Sequence, residues 1–385
     1  MTLDELRSEL TELDEQLLQL VARRQALSEQ VAAVKRATGR ATRDFGRERE
    51  VILRGRNSAH RLGVSPDLAE SLLRQLIQSS LATQEHARVA AHAHGSGKRV
   101  LVIGGCGKMG GWFSEFLASQ GFRVSIADPS GCPTGFDRVN DWHSDPLEFD
   151  LIVLATPLSV TTKLMVELAA RAPRGLIFDL GSLKTPLRAG FEALVKAGCR
   201  VTSLHPMFGP DTELLSGRHV IFIDLGNARA LEDAQDLFAP TMAERVVMGL
   251  DEHDRLIAYV LGLSHALNIA FFTALAESGE AALRLGRLSS TTFDSQMEVA
   301  GRVACESPDL YFEIQSLNEY GGQSLQALSQ AVERLVPAVR TKNAAEFTSI
   351  MTRGRAYLDV RAAARAGCSK HRRPLGPAAV PPASR

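Results

Sequence analysis

The chain has 385 residues, a length typical of two or three domains. Its 44 basic and 44 acidic side chains balance, so no net field attracts nucleic acid or an anionic membrane. No apolar run reaches the roughly 18 residues that span a bilayer, and the five scattered cysteines form no CxxC pair, so we expect a cytoplasmic protein without a membrane span, a metal site or a disulfide framework.

Apolar residues recur in alternating steps of three and four from Leu3 to Val34, with one interruption at Arg24. This heptad pattern predicts a helix of about 35 residues that packs along other helices, including those of a second copy of the chain. Lys35 follows Arg24 by about 1100° of helical rotation, so the two cations share a face and bracket a space for a small dianion. Taken alone, Arg24 is equally compatible with reaching out to solvent along the helix or with pairing to a glutamate of the apolar seam.

Two shorter helices follow. The stretch "RDFGREREVIL" places Asp44 and Glu48 on one face, and "VSPDLAESLLRQLIQSSLATQ" begins with an N-cap serine followed by proline. The second helix places Ser80 and Gln84 four residues apart, again on one face. Each pair by itself is also compatible with a solvated surface.

Residues 1–88 resemble the all-helical chorismate mutase domain that forms an interlocked dimer. The residues that match the family pattern are Arg7, Arg24, Lys35, Asp44, Glu48, Ser80 and Gln84. The resemblance implies that Arg7 reaches into the partner's site, and this role accounts for its register, about 100° away from the face of Arg24 on the same helix. A helical dimerisation module without activity would explain the apolar seam but not Arg24 within it.

The implied reaction is the unimolecular rearrangement of chorismate to prephenate, which needs no nucleophile. The arginines would bind carboxylates, and Lys35 and Gln84 would donate to the ether oxygen as charge develops there. Asp44 and Glu48 would accept the substrate hydroxyl or orient the cations, and Ser80 would contact a carboxylate.

After a small, glycine-rich linker at 91–97, "RVLVIGGCGKMGGWF" gives GxGxxG between a strand and a helix. This context is typical of a dinucleotide-binding turn, and Asp128 at the end of the next strand favours NAD over NADP because it repels a 2′-phosphate. The residues expected at the cofactor are Gly105, Gly107, Lys108, Met109, Gly110, Asp128 and Thr156. Further strand-like runs, including "CRVTSLHP", predict a doubly wound α/β domain over 98–250.

Ligands of such sheets bind beyond the carboxyl ends of the strands, which directs attention to Ser182, Lys184 and His205. Residues 98–365 resemble prephenate dehydrogenase, most specifically in "GSLK" and "HPMFGP". The resemblance implies that His205 accepts a hydrogen bond from the ring hydroxyl of prephenate while hydride passes to NAD, with Ser182 at the same hydroxyl or the nicotinamide edge. The position of Lys184, in the site or at the surface, stays open.

A helical region from 251 to about 365 is expected to mediate dimerisation and close the second site. The resemblance implies that Arg302 there clamps a prephenate carboxylate and that His265 lies near the substrate side chain, whereas His253 is expected to be structural. Some bifunctional relatives carry arginine where this chain has Asp294, so side-chain binding and tyrosine inhibition are in doubt.

We therefore expect a multidomain, homodimeric, bifunctional enzyme that acts on chorismate and prephenate. Its predicted parts are an all-α mutase domain at 1–90, an α/β doubly wound (Rossmann-like) NAD domain at 98–250, an all-α dimerisation domain at 251–365 and a disordered tail at 366–385. The alternatives are an arogenate-using dehydrogenase, another NAD-dependent hydroxy-acid dehydrogenase with an inactive helical arm, and a non-enzymatic regulator-binding role for the N-terminal helices.

Overall fold

The computed structural model describes residues 1–131 and 135–370, with side chains described as far as residue 360. Three helices come first: α1 (Leu3–Ala37), α2 (Phe45–Arg61) and α3 (Pro66–His92). A capping box between Thr2 and Glu5 starts α1. Ser65 caps α3 ahead of Pro66, as predicted from the sequence. Helix α3 packs against both α1 and α2.

Helix α1 is 35 residues long, in agreement with the heptad pattern. Its apolar seam is uncovered, and the leucines that are more than half exposed include Leu3, Leu10, Leu13, Leu17 and Leu20. A row of exposed leucines along a helix is the surface that another helix covers in a coiled coil.

The next part is a parallel sheet of six strands in the order β3-β2-β1-β4-β5-β6. Its elements are β1 (Arg99–Ile103), α4 (Lys108–Ser119), β2 (Arg123–Ala127), β3 (Asp137–Arg138), β4 (Leu151–Leu154), α5 (Leu158–Arg171), β5 (Leu176–Asp179), α6 (Arg188–Lys196) and β6 (Arg200–Val201). The central strands are buried on both faces, as parallel sheets require. The predicted doubly wound fold is confirmed, and the strand order reverses between β1 and β4, where such sheets bind dinucleotides.

The stretch "CRVTSLHP" differs from the prediction of one strand. It contains β6 and then β7 (Ser203–Pro206), which joins a second, three-stranded sheet with β8 (His219–Ile223) and β9 (Glu244–Met248). The chain changes sheets at Thr202, whose amide donates to Ile177 O and whose hydroxyl donates to Ile223 O. Helix α7 (Ala228–Asp236) lies between β8 and β9 in the chain. His205 therefore lies in the second sheet.

A helical region follows. A continuous helix contains α8 (Leu250–Ile257), a π-helical turn (Ala258–Leu263) and α9 (Ser264–Glu277), and it precedes α10 (Ala282–Arg287), α11 (Thr291–Ala304) and α12 (Pro308–Ser316). By length and composition the 28-residue helix Leu250–Glu277 could cross a membrane. Its most apolar stretch of 18 residues has a mean hydropathy of 1.6, and only 22% of that stretch is buried within the chain. Ser264, His265 and Asn268 interrupt the apolar run of this helix, so the sequence contains no unbroken run of that length although the mean hydropathy stays high.

The last helices are α13 (Gly321–Arg340) and α14 (Ala344–Lys370). Contacts divide the chain into two compact units, one from Met1 to Gly321 and one from Gly322 onward. Helix α14 continues past the predicted boundary at residue 365. Alanine and arginine in this stretch favour helix, and the next proline along the chain, which would interrupt a helix, is Pro374. The rest of the predicted disordered tail lies outside the described residues.

One carboxylate joins the helical N-terminal part to the α/β part. Glu85 of α3 is buried, and its two oxygens accept the backbone amides of Leu215, at 2.7 Å, and Met242. Burial raises the pKa of Glu85 although both hydrogen bonds oppose that shift. Nearby, Arg43 donates to the hydroxyl of Ser216 at 2.7 Å, so contacts from two N-terminal segments meet the loop between β7 and β8.

Candidate active sites

A cavity of about 340 Å³ lies between α1, α2 and α3. Six of the seven residues predicted for the first site line it: Arg24, Lys35, Asp44, Glu48, Ser80 and Gln84. Sequence reasoning missed several other lining residues, among them Ser28, Val31, Thr42, Val51, Ile77 and Leu81. The apolar ones among them follow the same helical spacing as core positions, so nothing in the sequence separates them from ordinary packing residues.

Arg24 is held by neutral oxygens. Its Nη1 donates to Leu76 O at 2.5 Å and to the hydroxyl of Ser80, both on α3. Among the described residues no carboxylate lies within ion-pair distance of Arg24, so the alternative of a seam glutamate as its partner is wrong. Burial lowers the pKa of Arg24, as expected for a guanidinium that has lost part of its hydration.

Lys35 faces the same cavity. Its Nζ donates to Thr42 O at 2.5 Å and lies 3.4 Å from the side-chain oxygen of Gln84. Burial lowers the pKa of Lys35, while Asp44 and Glu48 oppose that shift through their charges. The cavity therefore contains two desolvated cations whose direct contacts are neutral oxygens, which suits a small anion.

The two carboxylates of the cavity have structural partners of their own. Asp44 caps α2 by accepting the amide of Arg47 at 2.9 Å. Glu48 binds the guanidinium of Arg43 through two hydrogen bonds of 2.8 and 2.9 Å. Glu48 therefore directly orients a cation that the sequence did not single out, and acts on Lys35 only through its charge.

Arg7 does not line this cavity. Its side chain is 68% exposed, and its nearest carboxylate is Asp4, at 3.6 Å. This agrees with the helical register, which turns Arg7 away from the face of Arg24 and leaves it free to reach elsewhere.

The glycine turn between β1 and α4 is shaped by close backbone contacts. A Cβ at Gly104 would lie 2.5 Å from Ala155 O, and one at Gly110 would collide with Gly104 O. At Gly107, the N-cap of α4, the nearest atom to such a Cβ is 3.4 Å away. Packing within the protein thus explains Gly110 but not Gly107, whose lack of a side chain suits the close approach of a phosphate to the helix N-terminus.

Asp128 follows β2 and fixes the same turn. Its oxygens accept the amides of Cys106, at 3.0 Å, and Ser130, at 2.9 Å. Cys106 is disulfide-bonded, which the sequence pattern did not predict, whereas Cys199 and Cys305 are free.

The other predicted cofactor residues surround this turn. Thr156, at the end of β4, lies across the switch point, with its Cγ2 3.0 Å from a Cβ built at Gly104. Lys108 opens α4 and pairs with Glu306 at 3.3 Å, while Met109 packs against the core beneath. The residues present therefore fit an NAD molecule that lies across β1 and β4.

Past the ends of β5 and β7, polar groups are buried together. Lys184 is fully buried, with its Nζ 2.8 Å from Asp179 Oδ2 and 2.8 Å from Leu204 O. The alternative of a surface role for Lys184 is therefore wrong. His205 is 4% exposed, and its Nδ1 lies 2.8 Å from Nε2 of His253. Burial, together with the charges of His253 and Lys184, lowers the pKa of His205 well below its ordinary value.

His253 in turn lies 2.6 Å from the carboxylate of Asp254 through its Nδ1. The sequence analysis predicted a structural role for His253. Its contact with His205 comes from the packing of α8 against the loop after β5, which no local pattern encodes. Ser182 lies half-buried in that loop.

Helices α11 and α12 lie over the same edge of the sheet. Glu306 follows α11 and pairs with Lys108, and Glu313 of α12 accepts the amides of Leu158 and Ser159 at the start of α5. Arg302 occupies the last turn of α11 and is exposed. Among the described residues Arg302 makes no hydrogen bond or ion pair with other side chains of the proposed site, so its carboxylate clamp stays a prediction.

His265 at the start of α9 is enclosed. Its ring centroid lies 4.2 Å from that of Tyr311, and its Nδ1 is buried without a hydrogen-bond partner in the described residues. Burial lowers the pKa of His265 from 6.5 to about 4. A neutral imidazole with an unused nitrogen can bind a polar group of a ligand.

Comparisons with known proteins match this arrangement part by part. Residues 6–85 match the family model for chorismate mutase type II, residues 126–247 the nucleotide-binding domain of prephenate dehydrogenase, and residues 250–353 its dimerization domain. The glycine turn lies ahead of the matched dehydrogenase residues, so its assignment rests on the geometry above.

Curated relatives span both parts. The T-protein of Enterobacter agglomerans is 28% identical over 310 residues, which is 80% of this chain and 80% of that protein. The T-protein of Haemophilus influenzae is 28% identical over 320 residues, which is 81% of this chain and 80% of that protein.

One similar solved structure is prephenate dehydrogenase from A. aeolicus in complex with hydroxyphenyl propionate and NAD+. Its TM-score is 0.57 at 17% identity, and the alignment covers 68% of this chain and 98% of that enzyme's chain. Arogenate dehydrogenase from Synechocystis has a TM-score of 0.54 at 17% identity, with 68% and 99% covered. At these identities the two structures establish the fold.

The fold and the two sites define a nucleotide-dependent dehydrogenase fused to a helical mutase domain. The chain belongs to the family of bifunctional chorismate mutase/prephenate dehydrogenases.

Proposed function

We propose that this chain rearranges chorismate to prephenate and then oxidatively decarboxylates prephenate to 4-hydroxyphenylpyruvate with NAD, on the route to tyrosine. The observation that carries the proposal is the cavity in which Arg24 and Lys35 converge while their direct contacts are neutral oxygens. Two cations whose direct contacts, within the described part of the chain, are neutral oxygens suit a dicarboxylate, and an inert helical arm would have no use for them.

In the first reaction the chain holds the substrate and stabilises charge. Arg24 would bind one carboxylate, and Arg7 of a second copy would bind the other. Lys35 and Gln84, which lie 3.4 Å apart, would both donate to the ether oxygen as its bond breaks. The substrate would then replace Thr42 O as the acceptor for Lys35 and leave the cation in place.

In the second reaction NAD supplies the hydride acceptor. The ring hydroxyl of prephenate would give its proton to His205 while the ring carbon that bears this hydroxyl loses hydride, which bound NAD would accept. The ring carboxylate departs as carbon dioxide, and its bonding electrons complete the aromatic ring. Arg302 and His265 would hold the substrate from the helical side, with Ser182 beside the reacting hydroxyl. A histidine that stays neutral at pH 7 suits the role of proton acceptor.

The domain division that we propose is a mutase domain at 1–90, a linker at 91–97, an NAD domain at 98–250, a helical domain at 251–365 and a tail at 366–385. We also propose a cytoplasmic homodimer. The uncovered leucines of α1 support it, and so do the apolar residues of the helix Leu250–Glu277, most of which are not buried within one chain. A second copy would cover both surfaces.

The test uses two single variants and one control variant of the full chain with chorismate, first without and then with NAD. Arg24→Met removes a charge-assisted carboxylate contact worth about 1.5–3 kcal/mol, so kcat/KM for chorismate should fall about 10- to 100-fold while prephenate oxidation continues. Arg23→Met, at the exposed neighbouring position, is the matched control. His205→Asn should leave the mutase reaction intact and lower prephenate turnover by about 10² or more, with NAD affinity nearly unchanged.

The outcomes separate the alternatives. A regulator-binding role for the N-terminal helices predicts no loss of chorismate and no effect of Arg24→Met. If the chain were a hydroxy-acid dehydrogenase with an inactive helical arm, NAD would be reduced with other hydroxy acids but not with chorismate or prephenate. Arogenate, which carries an amine on its side chain, is offered in parallel with prephenate, and a higher kcat/KM for arogenate would overturn the assignment of prephenate.

A further inference from the structure

A buried row of three hydrogen-bonded side chains ends on His205. Asp254 and His253 are fully buried, and the distances along the row are 2.6 Å from Asp254 Oδ1 to His253 Nδ1 and 2.8 Å from His253 Nε2 to His205 Nδ1. Asp254 is itself fixed, because its carboxylate accepts the amides of Lys184 at 2.9 Å and Thr185 at 2.7 Å. The row therefore has one rigid end and one end at the proposed site.

The positions of the protons along this row follow from its chemistry. Burial opposes ionisation of Asp254, but hydrogen bonds from His253 and Thr185 outweigh it and keep the pKa of the carboxyl below its ordinary value. Asp254 thus only accepts, so Nδ1 of His253 must carry a proton. Burial lowers the pKa of His253, so the ring is neutral and its Nε2 is bare. That nitrogen can only accept, and Nδ1 of His205 must donate to it.

Burial is the main cause that keeps both rings neutral, and the nearby charges modify its effect. Lys184 lowers the pKa of His205 and of His253 through its charge, while Asp179 and Asp254 act in the opposite direction on His253. Nε2 of His205 is then the unprotonated nitrogen, and among the described residues no protein group hydrogen-bonds to it. A lone pair at that position is what a departing hydroxyl proton requires.

We propose that His253, held by Asp254, is a positioning residue that fixes His205 in the tautomer whose Nε2 accepts the hydroxyl proton of the substrate. The inference rests on the proposed function, since it assigns His253 a part in the dehydrogenase reaction. Without the acceptor at His253, His205 can place its proton on Nε2, where it would donate to the substrate hydroxyl and could not remove a proton from it.

The first test compares two variants that fill similar space. His253→Gln keeps a side-chain oxygen that can accept from Nδ1 of His205, whereas His253→Met offers no such acceptor. We expect His253→Met to lower kcat for prephenate by about 10² or more with KM changed little, and His253→Gln to restore activity to within about tenfold of the wild type. The mutase reaction of the same chain and the Kd for NAD report whether each variant is folded.

The second test observes the tautomer directly. In full-length protein with ¹⁵N-labelled histidine, His205 should be protonated at Nδ1 and bare at Nε2 at neutral pH, and His253→Met should reverse this. The exposed His219, 50% exposed beside Glu244, provides a control through His219→Gln, which should change neither activity nor the His205 signals.

The results distinguish this inference from the proposed function. Loss of activity in His205→Asn, together with full activity and an unchanged tautomer in His253→Met, would overturn the positioning role and leave the proposed function standing. Full activity in His205→Asn would remove both. If His253→Met does not fold, the wild-type spectrum still decides, because a proton on Nε2 of His205 contradicts the inference.

Discussion

Replacing Lys184 by methionine tests whether the buried ion pair stabilises the nucleotide-binding part of the chain. Lys184 and Asp179 are both fully buried and 2.8 Å apart, and the second oxygen of Asp179 has no hydrogen-bond partner in the described residues. Lys184→Met removes the cation and leaves a buried carboxylate without its charge partner. Breaking such a pair costs about 3–5 kcal/mol, which raises the unfolded fraction roughly a hundredfold to several thousandfold.

Urea unfolding followed by tryptophan fluorescence measures this change, because Trp112 and Trp142 both pack with the α/β part. The matched control is Lys163→Met, whose side chain is 80% exposed and 3.9 Å from Glu167, and it should cost less than about 1 kcal/mol. Adding Asp179→Asn to Lys184→Met removes both charges and should recover much of the loss. A single-variant cost below about 1 kcal/mol, or a double variant no better than the single one, would refute the reasoning.

Three further outcomes are expected. Gly110→Ala should abolish NAD binding and lower stability because its Cβ collides with Gly104 O, whereas Gly111→Ala, with its nearest contact at 3.8 Å, should bind NAD normally in a titration followed by protein fluorescence. The free energy of unfolding should decrease as pH falls from 6.5 towards 4, because His265 binds a proton in the unfolded chain but stays neutral in the folded chain over this range. His265→Gln should make the plot of unfolding free energy against pH flatter over the same range. Leu13→Glu, at a position 58% exposed in the single chain, should shift the mass measured by light scattering from dimer towards monomer, and an unchanged mass would argue against the seam as the interface.

The sequence predicted the features that depend on local periodicity. Helix α1 has the predicted length because heptads, caps and the first glycine are all local signals. The strand–turn–helix at Gly105 was predicted equally well, because the GxGxxG spacing and the apolar run before it are also local signals.

Features that depend on contacts distant in sequence were missed. The change of sheets at Thr202 is set by bonds to Ile177 and Ile223, which no run of residues near 202 encodes. The burial of Lys184 and the contact of His253 with His205 likewise arise from the packing of separate elements. From sequence alone, a charged residue in a loop is expected at the surface, because the distant residues that bury it are not visible in the local pattern.

The carboxylate of Glu85 has a consequence for attempts to divide this protein. It follows Gln84 directly in α3, so a residue of the first cavity and the anchor into the α/β part are chain neighbours. If the chain were cut within 91–97 and the two fragments dissociated, the amides of Leu215 and Met242 would lose the carboxylate of Glu85 as their acceptor. Separately expressed halves should therefore rebind each other when mixed, and each alone should tolerate heat less well than the intact polypeptide.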